Sequence, residues 1–333
     1  MELRSKYAFG SRAARQNDNR GVIFSDISIL MVAVIWGSSY VVMQIVGEAL
    51  PVMAFLALRF LMSIPVIAVL GWRSLRSLSG QEIGTGAWFG FLLFLVLVCE
   101  TTGVRFTSAA NAGFLITVSV VLIPLFELVL FSRRYPALVY VATVAAIVGC
   151  GLLSLAHGFR PQLGDLIILA AALVRGFQIT LFGNSSRVVG QSLTNITFVE
   201  FVVVFTLAGA ASFVFEHNAW SSMQGIGIEE WILIAYLGVL GTSFAFFVQL
   251  RSARITSSTR VGIILSTEPI FAAMFAIVVA NEQLTVLQYI GGALVVIAAF
   301  VGRIMTNSPK ASSNEGSQSS SRFVQESKVN GGG

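Results

Sequence analysis

R-F-T-S-A-A-N-A-G-F, from Arg105 to Phe114, returns as R-I-T-S-S-T-R-V-G-I from Arg254 to Ile263, 149 positions later. Without a gap, the same offset pairs Phe126 with Phe275, Val129 with Val278, Leu138 with Leu287 and Tyr140 with Tyr289. Nearer the start of each copy the offset is 139, pairing Asp26 with Asp165 and Gly37 with Gly176; the longer connection from Glu216 to Glu230 absorbs the difference. The chain is read as two copies of one unit, over residues 27–156 and 157–303.

Each unit is built of membrane-length segments. Of 333 residues 56% are hydrophobic, a further 31 are glycine and only 11% are charged, with a mean hydropathy of +0.83. Soluble domains carry about 25% charged residues to cover their surface, so a water-soluble or disordered chain is excluded. Ten apolar segments follow, at 27–47, 52–71, 83–103, 112–132, 137–156, 163–183, 196–215, 231–250, 261–281 and 286–302. About 20 residues of α-helix cross a hydrocarbon core of about 30 Å. The fold expected is an all-α polytopic membrane protein of ten transmembrane helices. Five spans per copy is an odd number, so the second copy enters from the opposite side and the two five-helix repeats are inverted. Inverted repeats give secondary transporters two near-equivalent states around a site at the midplane.

Orientation follows the basic residues. Arg73, Arg76, Arg133, Arg134, Arg187, Arg251, Arg254 and Arg260 fall on one side with both tails, while the other side holds Arg105 and Arg160. The basic side is read as cytoplasmic, which places both termini there. Residues 1–26 form a polar, basic tail without the apolar core and cleavage site of a signal peptide, and the Ser/Gly-rich stretch 304–333 reads as a disordered cytoplasmic tail. Cys99 and Cys150 lie in apolar segments, where thiols act as small hydrophobes and no disulfide is expected.

A charge at the centre of a span costs at least ~2.5–3.5 kcal/mol, so those that persist face the interior with a partner. Arg175 lies about 18 Å from the outer end of span six and Glu268 about 11 Å from the inner end of span nine. In a core of about 30 Å these depths coincide. The two are expected to approach each other or to share a water-filled cavity, with Glu268 available to a proton; the alternative is a fixed ion pair holding the halves in register. Arg59 lies near mid-depth in span two, and its neighbourhood A-L-R-F aligns with F-V-E-F around Glu200, so Arg59 and Glu200 are read as a pair across the pseudo-dyad. Glu200 is the second candidate proton carrier. Glu200, Glu100 and Glu127 all lie near span ends, where an interface is within reach.

Pro65, Pro124 and Pro269 interrupt spans, freeing carbonyls that only a polar cavity or a neighbouring side chain can satisfy. Pro124 and Pro269 nearly correspond in the two copies and are read as helix breaks at a transport site. Trp36, Ser39, Tyr40, Asn111, Thr117, Gln178, Tyr236 and Thr242 complete the expected substrate cavity with Arg59, Arg175 and Glu268. Apolar walls carrying a few hydrogen-bonding groups suit amino acids, their analogues or amphipathic drugs.

Other functions fit less well. The two histidines, His157 and His217, lie in loops, and the chain has no G-x-S-x-G elbow, no Cys/His metal spacing and no phosphate loop, so no enzyme, cofactor or metal is expected. The basic residues sit in tails and loops and form no patch that tracks nucleic acid. The partners expected are a small-molecule substrate and membrane lipid; a homodimer is compatible with the sequence but not required by it. An uncoupled facilitator or channel uses the same cavity and stays open as an alternative.

W-G-S-S-Y (Trp36 to Tyr40), A-L-R-F (Ala57 to Phe60), N-A-G-F-L (Asn111 to Leu115), Y-L-G-V-L-G-T-S-F-A (Tyr236 to Ala245) and T-E-P-I-F-A-A (Thr267 to Ala273) occur in that order. This set resembles the drug/metabolite transporter superfamily, and within it the bacterial EamA-type exporters, across residues 27–303. The resemblance implies ten helices in two inverted repeats, a bacterial inner membrane and export of small metabolites. The first copy departs from the pattern, with Ser119-Val120 opposite Glu268-Pro269. The superfamily also contains nucleotide-sugar and phosphate-ester exchangers, but such anions call for more membrane cations than Arg59 and Arg175 supply.

Overall fold

The computed structural model describes residues 2–155, 162–186, 188–255 and 258–306. Arg160, Arg187 and the tail from 307 onward lie outside the described residues, so the disorder expected for that tail does too. Every regular element among the described residues is a helix. The main ones are α1 (Glu2–Ala49), α2 (Val52–Leu70), α3 (Gly80–Val104), α4 (Ala109–Phe131) and α5 (Ala137–Leu155), then α6 (Leu163–Asn184), α7 (Leu193–Phe215), α8 (Ile228–Ser252), α9 (Arg260–Val278) and α10 (Val286–Thr306). Eight are long and apolar enough to cross a membrane, α1 through its Gly21–Ala49 part. The apolar stretches of α5 and α10, Ala137–Leu153 and Val286–Gly302, are shorter, at roughly 25 Å of helix each.

Helix starts are set by polar residues that the apolar pattern leaves out. α3, α4, α7 and α8 begin at 80, 109, 193 and 228, each three residues before the span read from hydropathy. Ser79 and Glu82 form a capping box on α3, and Ser108 Oγ accepts the Asn111 N–H at the start of α4. Carboxylates from the opposite half cap three of the helices. Glu216 accepts the N–H groups of Met53 and Ala54 on α2, both at 2.9 Å, and Glu282 those of Ala109 at 2.7 Å and Ala110 at 3.2 Å on α4. Glu82 accepts the Ser192 N–H at the start of α7 at 2.9 Å. Each carboxylate neutralises the positive end of a helix dipole.

The outer surface is apolar: Val69, Trp88, Val129, Val141, Phe213 and Ile297 are all exposed. Such a belt is a liability in water and the required surface in lipid. Inside, close approach is bought with glycine. A Cβ on Gly149 would lie 2.7 Å from the Gly291 carbonyl oxygen, and one on Gly291 2.7 Å from that of Gly149, so α5 and α10 touch backbone to backbone.

The repeat is visible in the packing. Gly37 of α1 seats against Phe271 of α9, and Gly176 of α6 against Leu122 of α4; these are the same two positions in each copy. Both α4 and α9 are interrupted at equivalent points, Thr117 and Ser266-Thr267. Thr117 Oγ1 donates to the Gly113 carbonyl at 3.0 Å and Ser266 Oγ to the Gly262 carbonyl at 2.9 Å, so a hydroxyl returns to the carbonyl four residues back at each break.

Pro269 sits in the first turn of the half-helix Glu268–Val278, where its missing N–H is no loss. Pro124 corrects the sequence expectation: it lies inside the continuous helix Val118–Phe131, and the interruption falls at Thr117 instead. The Val121 carbonyl, one turn before the proline, accepts Thr143 Oγ1 of α5 at 3.1 Å, so a neighbouring hydroxyl supports the backbone there and the helix continues. Where α4 ends, Glu127 accepts Asn184 Nδ2 of α6 at 2.9 Å and the Tyr135 hydroxyl, with Arg133 at 3.5 Å. Burial, then the bond to Glu127, pushes the Tyr135 phenol up to about 12, so it stays protonated and donating throughout the neutral range.

Candidate substrate and coupling site

Six helices place polar side chains around one region inside the bundle. On α1, Trp36 and Tyr40 are one turn apart and share a face. Tyr40, only 1% exposed, donates its hydroxyl to Glu268 Oε1 at 2.7 Å. Glu268 opens the half-helix Glu268–Val278, where the helix dipole favours a negative charge.

Arg175 of α6 meets Glu100 of α3, Nη1 to Oε2 at 3.8 Å, and its guanidinium stands 5.9 Å from the centre of the Trp36 ring. Trp36 in turn stands one helical turn from Tyr40, which holds Glu268. Arg175 and Glu268 therefore belong to one cluster, but the ion pair of Arg175 is with Glu100, which corrects the direct Arg175–Glu268 pairing. Glu100 is the residue that sequence reasoning missed. It lies near the end of α3, and the expectation that such a carboxylate reaches the interface fails because the side chain is buried against Arg175.

Arg59 of α2 is buried and donates from Nε to Thr242 Oγ1 at 2.9 Å; its Nη1 lies 4.0 Å from Met43 Sδ. Its expected pairing with Glu200 is not made. Glu200 on α7 is buried, lies with its backbone against Gly90 of α3, and has no hydrogen bond or ion pair among the described residues. The alignment of the two neighbourhoods fixes equivalent repeat positions but not which way each helix turns its charge.

The segment Tyr236–Phe244 of α8 is wound as a π-helix. Its wider turn leaves carbonyls available to side chains, as such turns often do at functional sites. The Gly241 carbonyl accepts Trp36 Nε1 at 2.8 Å, and the Leu237 carbonyl accepts Thr242 Oγ1 at 2.9 Å. Ser38 Oγ and the Tyr236 hydroxyl are 2.7 Å apart, and Ser39 Oγ turns back to the Trp36 carbonyl at 2.5 Å. The two glycines of G-V-L-G were the only sequence signal for the unusual winding.

Three predicted residues lie elsewhere. Asn111 joins a separate network at the far end of the bundle, Gln178 donates to the Phe89 carbonyl on the α3–α6 seam at 3.1 Å, and Thr117 is spent on the break in α4. The clefts at the surface are also away from the cluster. One of 390 Å³ is lined by Thr194, Phe247, Leu250, Arg251 and Ile255, and a second adjoins it at Gly71, Trp72 and Thr194.

Removing the partner of Arg59 gives a stability prediction. Thr242→Val leaves Nε of a buried guanidinium without its acceptor and is expected to cost about 1.5–3 kcal/mol. Thr242→Ser retains most of that. The thermal midpoints of the two variants in detergent test this; equal midpoints would place the hydrogen bond outside the stabilising set.

The EamA-like transporter family profile matches residues 23–155 and again 162–302. The chain belongs to this family. An Archaeoglobus fulgidus protein described as an "Uncharacterized transporter" is 29% identical over 279 residues, covering 84% of this chain and 85% of that one. The "Uncharacterized transporter YetK" of Bacillus subtilis strain 168 is 22% identical over 296 residues, covering 86% and 88%. A solved structure titled "Crystal structure of protein", 19% identical in sequence, aligns with a TM-score of 0.60 over 83% of this chain and 95% of that one, a likeness of fold. As an EamA-family protein with several membrane-length apolar helices, the chain is a multi-pass integral membrane protein of the transporter type in the drug/metabolite transporter superfamily.

Proposed function

We propose that this EamA-family protein exports small metabolites, amino acids or related compounds or drugs, as a secondary-active carrier working by alternating access, with a proton exchanged at Glu268. All ten helices cross the membrane in this reading, as two oppositely threaded five-helix repeats, with both termini in the cytoplasm and the protein in a bacterial inner membrane. One observation carries it. The polar bonds of the cluster run between the halves: Tyr40 to Glu268, Glu100 to Arg175, Arg59 to Thr242 and Trp36 to Gly241. Moving one half against the other breaks these bonds, and a bound zwitterion compensates, its carboxylate replacing Glu100 on Arg175 and its ammonium facing a carboxylate and the Trp36 ring. Glu268, once parted from Tyr40, takes up the proton.

Initial rates of uptake into proteoliposomes across a panel of amino acids and drugs, with and without a pH gradient, test this. Saturable flux that a gradient accelerates supports it. Flux linear in concentration makes the protein a facilitator, and saturable flux indifferent to the gradient removes the proton. Cysteine-accessibility mapping that puts the two ends of the chain on different faces overturns the inverted threading.

A further inference from the structure

The offsets that align Asp26 with Asp165 also align Asn111 with Arg260, so the two copies place equivalent pairs at opposite ends of the bundle. At one end Arg260 Nε donates to Asp26 Oδ1 at 2.8 Å, with side chains 51% and 26% exposed. At the other, Asn111 Nδ2 lies 3.4 Å from Asp165 Oδ1, and both residues are 0% exposed. The water-facing aspartate has a guanidinium beside it, whereas the buried one has a neutral amide in the same repeat position.

Among the described residues, no cation pairs with Asp165. Thr107 Oγ1 donates to the same Oδ1, Asn111 Nδ2 also reaches the Leu153 carbonyl at 3.4 Å, and Gln288 Nε2 donates to Asn111 Oδ1 at 2.9 Å. Asp165 Oδ2 is buried with no hydrogen-bond partner. Among the described charged and titratable groups on the surrounding helices, Glu282 is spent on the first N–H groups of α4, and Arg105 lays its stem along Gly47 of α1. Glu100 of α3 pairs with Arg175, about 15 Å further along α6. Cys150 of α5 is a buried thiol and no cation. A carboxylate oxygen buried without a partner calls for a counter-ion.

We propose that Asp165 is a site for a monovalent cation, a proton or a sodium ion, taken up at Oδ2. Thr107 Oγ1 on the neighbouring Oδ1, and the Leu153 carbonyl and Asn111 Oδ1 in the same network, are hard oxygens of the kind that suit an alkali cation. Occupancy joins the ends of α4, α5, α6 and α10, which supply this pocket. The site is separate from the Glu268 cluster, and its test needs no transported substrate, so its outcome is independent of the proposed function.

The measurement is the thermal midpoint of the purified full-length protein in detergent, for wild type and Asp165→Asn, from about pH 5.5 to about pH 8.5 in choline chloride or sodium chloride. The quantity read is wild type minus variant, which cancels groups titrating in both. If the ion is a proton, this difference falls with rising pH in choline by about 3 °C or more, because the buried carboxyl then loses its neutralising partner. If it is sodium, the difference at high pH rises by about 3 °C or more with sodium chloride and saturates. A difference flat in both arms overturns the proposal. Thr107→Val, which keeps the carboxylate and removes one oxygen, is the second variant should Asp165→Asn fail to fold. A displaced pH or sodium midpoint supports the site, and an unmoved one overturns it.

Discussion

Glu268→Gln is expected to cut saturable substrate flux about 10- to 100-fold, the worth of one charge-assisted contact from the carboxylate to a substrate ammonium, and to abolish its dependence on a pH gradient. Glutamine has the shape of glutamate and still accepts from the Tyr40 hydroxyl, so the bond at 2.7 Å between the halves survives while the titratable charge does not. Tyr40→Phe does the reverse, removing the donor and keeping the carboxylate. It is expected to slow flux while preserving the gradient dependence. Initial rates in proteoliposomes at matched protein density, with and without the gradient, separate the two. Wild-type rates and an intact gradient response in Glu268→Gln would remove this residue from the coupling step.

Gly164→Ala carries the largest expected cost in stability. An added Cβ would lie 2.4 Å from the carbonyl carbon of Phe106, 2.5 Å from the Gly103 oxygen and 2.6 Å from the Phe106 oxygen, all backbone atoms that no rotamer change can move aside. Overpacking of this kind costs about 1–3 kcal/mol in general, and a contact made wholly of backbone belongs at or above the top of that range. Gly151 is the control, since a Cβ there meets nothing within 4 Å. Gly151→Ala should be neutral or gain up to about 1 kcal/mol from helix propensity. Thermal midpoints and detergent-soluble yield of the two variants check this. Equal midpoints would mean that the start of α6 can lift off the end of α3 at little cost.

Much of the fold was legible because lipid writes a simple code. Long apolar runs became helices, and the offsets of 139 and 149 that align Gly37 with Gly176 and Thr117 with Ser266 reappear as equivalent packing contacts and equivalent breaks. The starts of α2, α5, α6 and α10 were read where they fall, and four others about one turn late, as at Ser79 and Ser108, which contribute caps rather than hydrophobicity. The cluster was legible in part. Depth alone put Arg175 and Glu268 at one level, but the partner of Arg175 depends on how α3 is rotated, and one sequence does not fix that rotation. The same holds for Glu200, which aligns with Arg59 in the repeat yet makes no pair with it among the described residues. Pro124 misled because proline marks a lost N–H, while the chain bends where hydroxyls compete for carbonyls, at Thr117.

The bonds that cross between the halves bear on how the chain folds. A five-helix half by itself would leave Arg59, Glu100 and the first N–H groups of α2 and α4 without the partners that receive them. On the inverted threading proposed above, each half holds the partners of the other's buried charges, so the two are expected to insert and fold as one cooperative unit, with neither half stable when expressed alone.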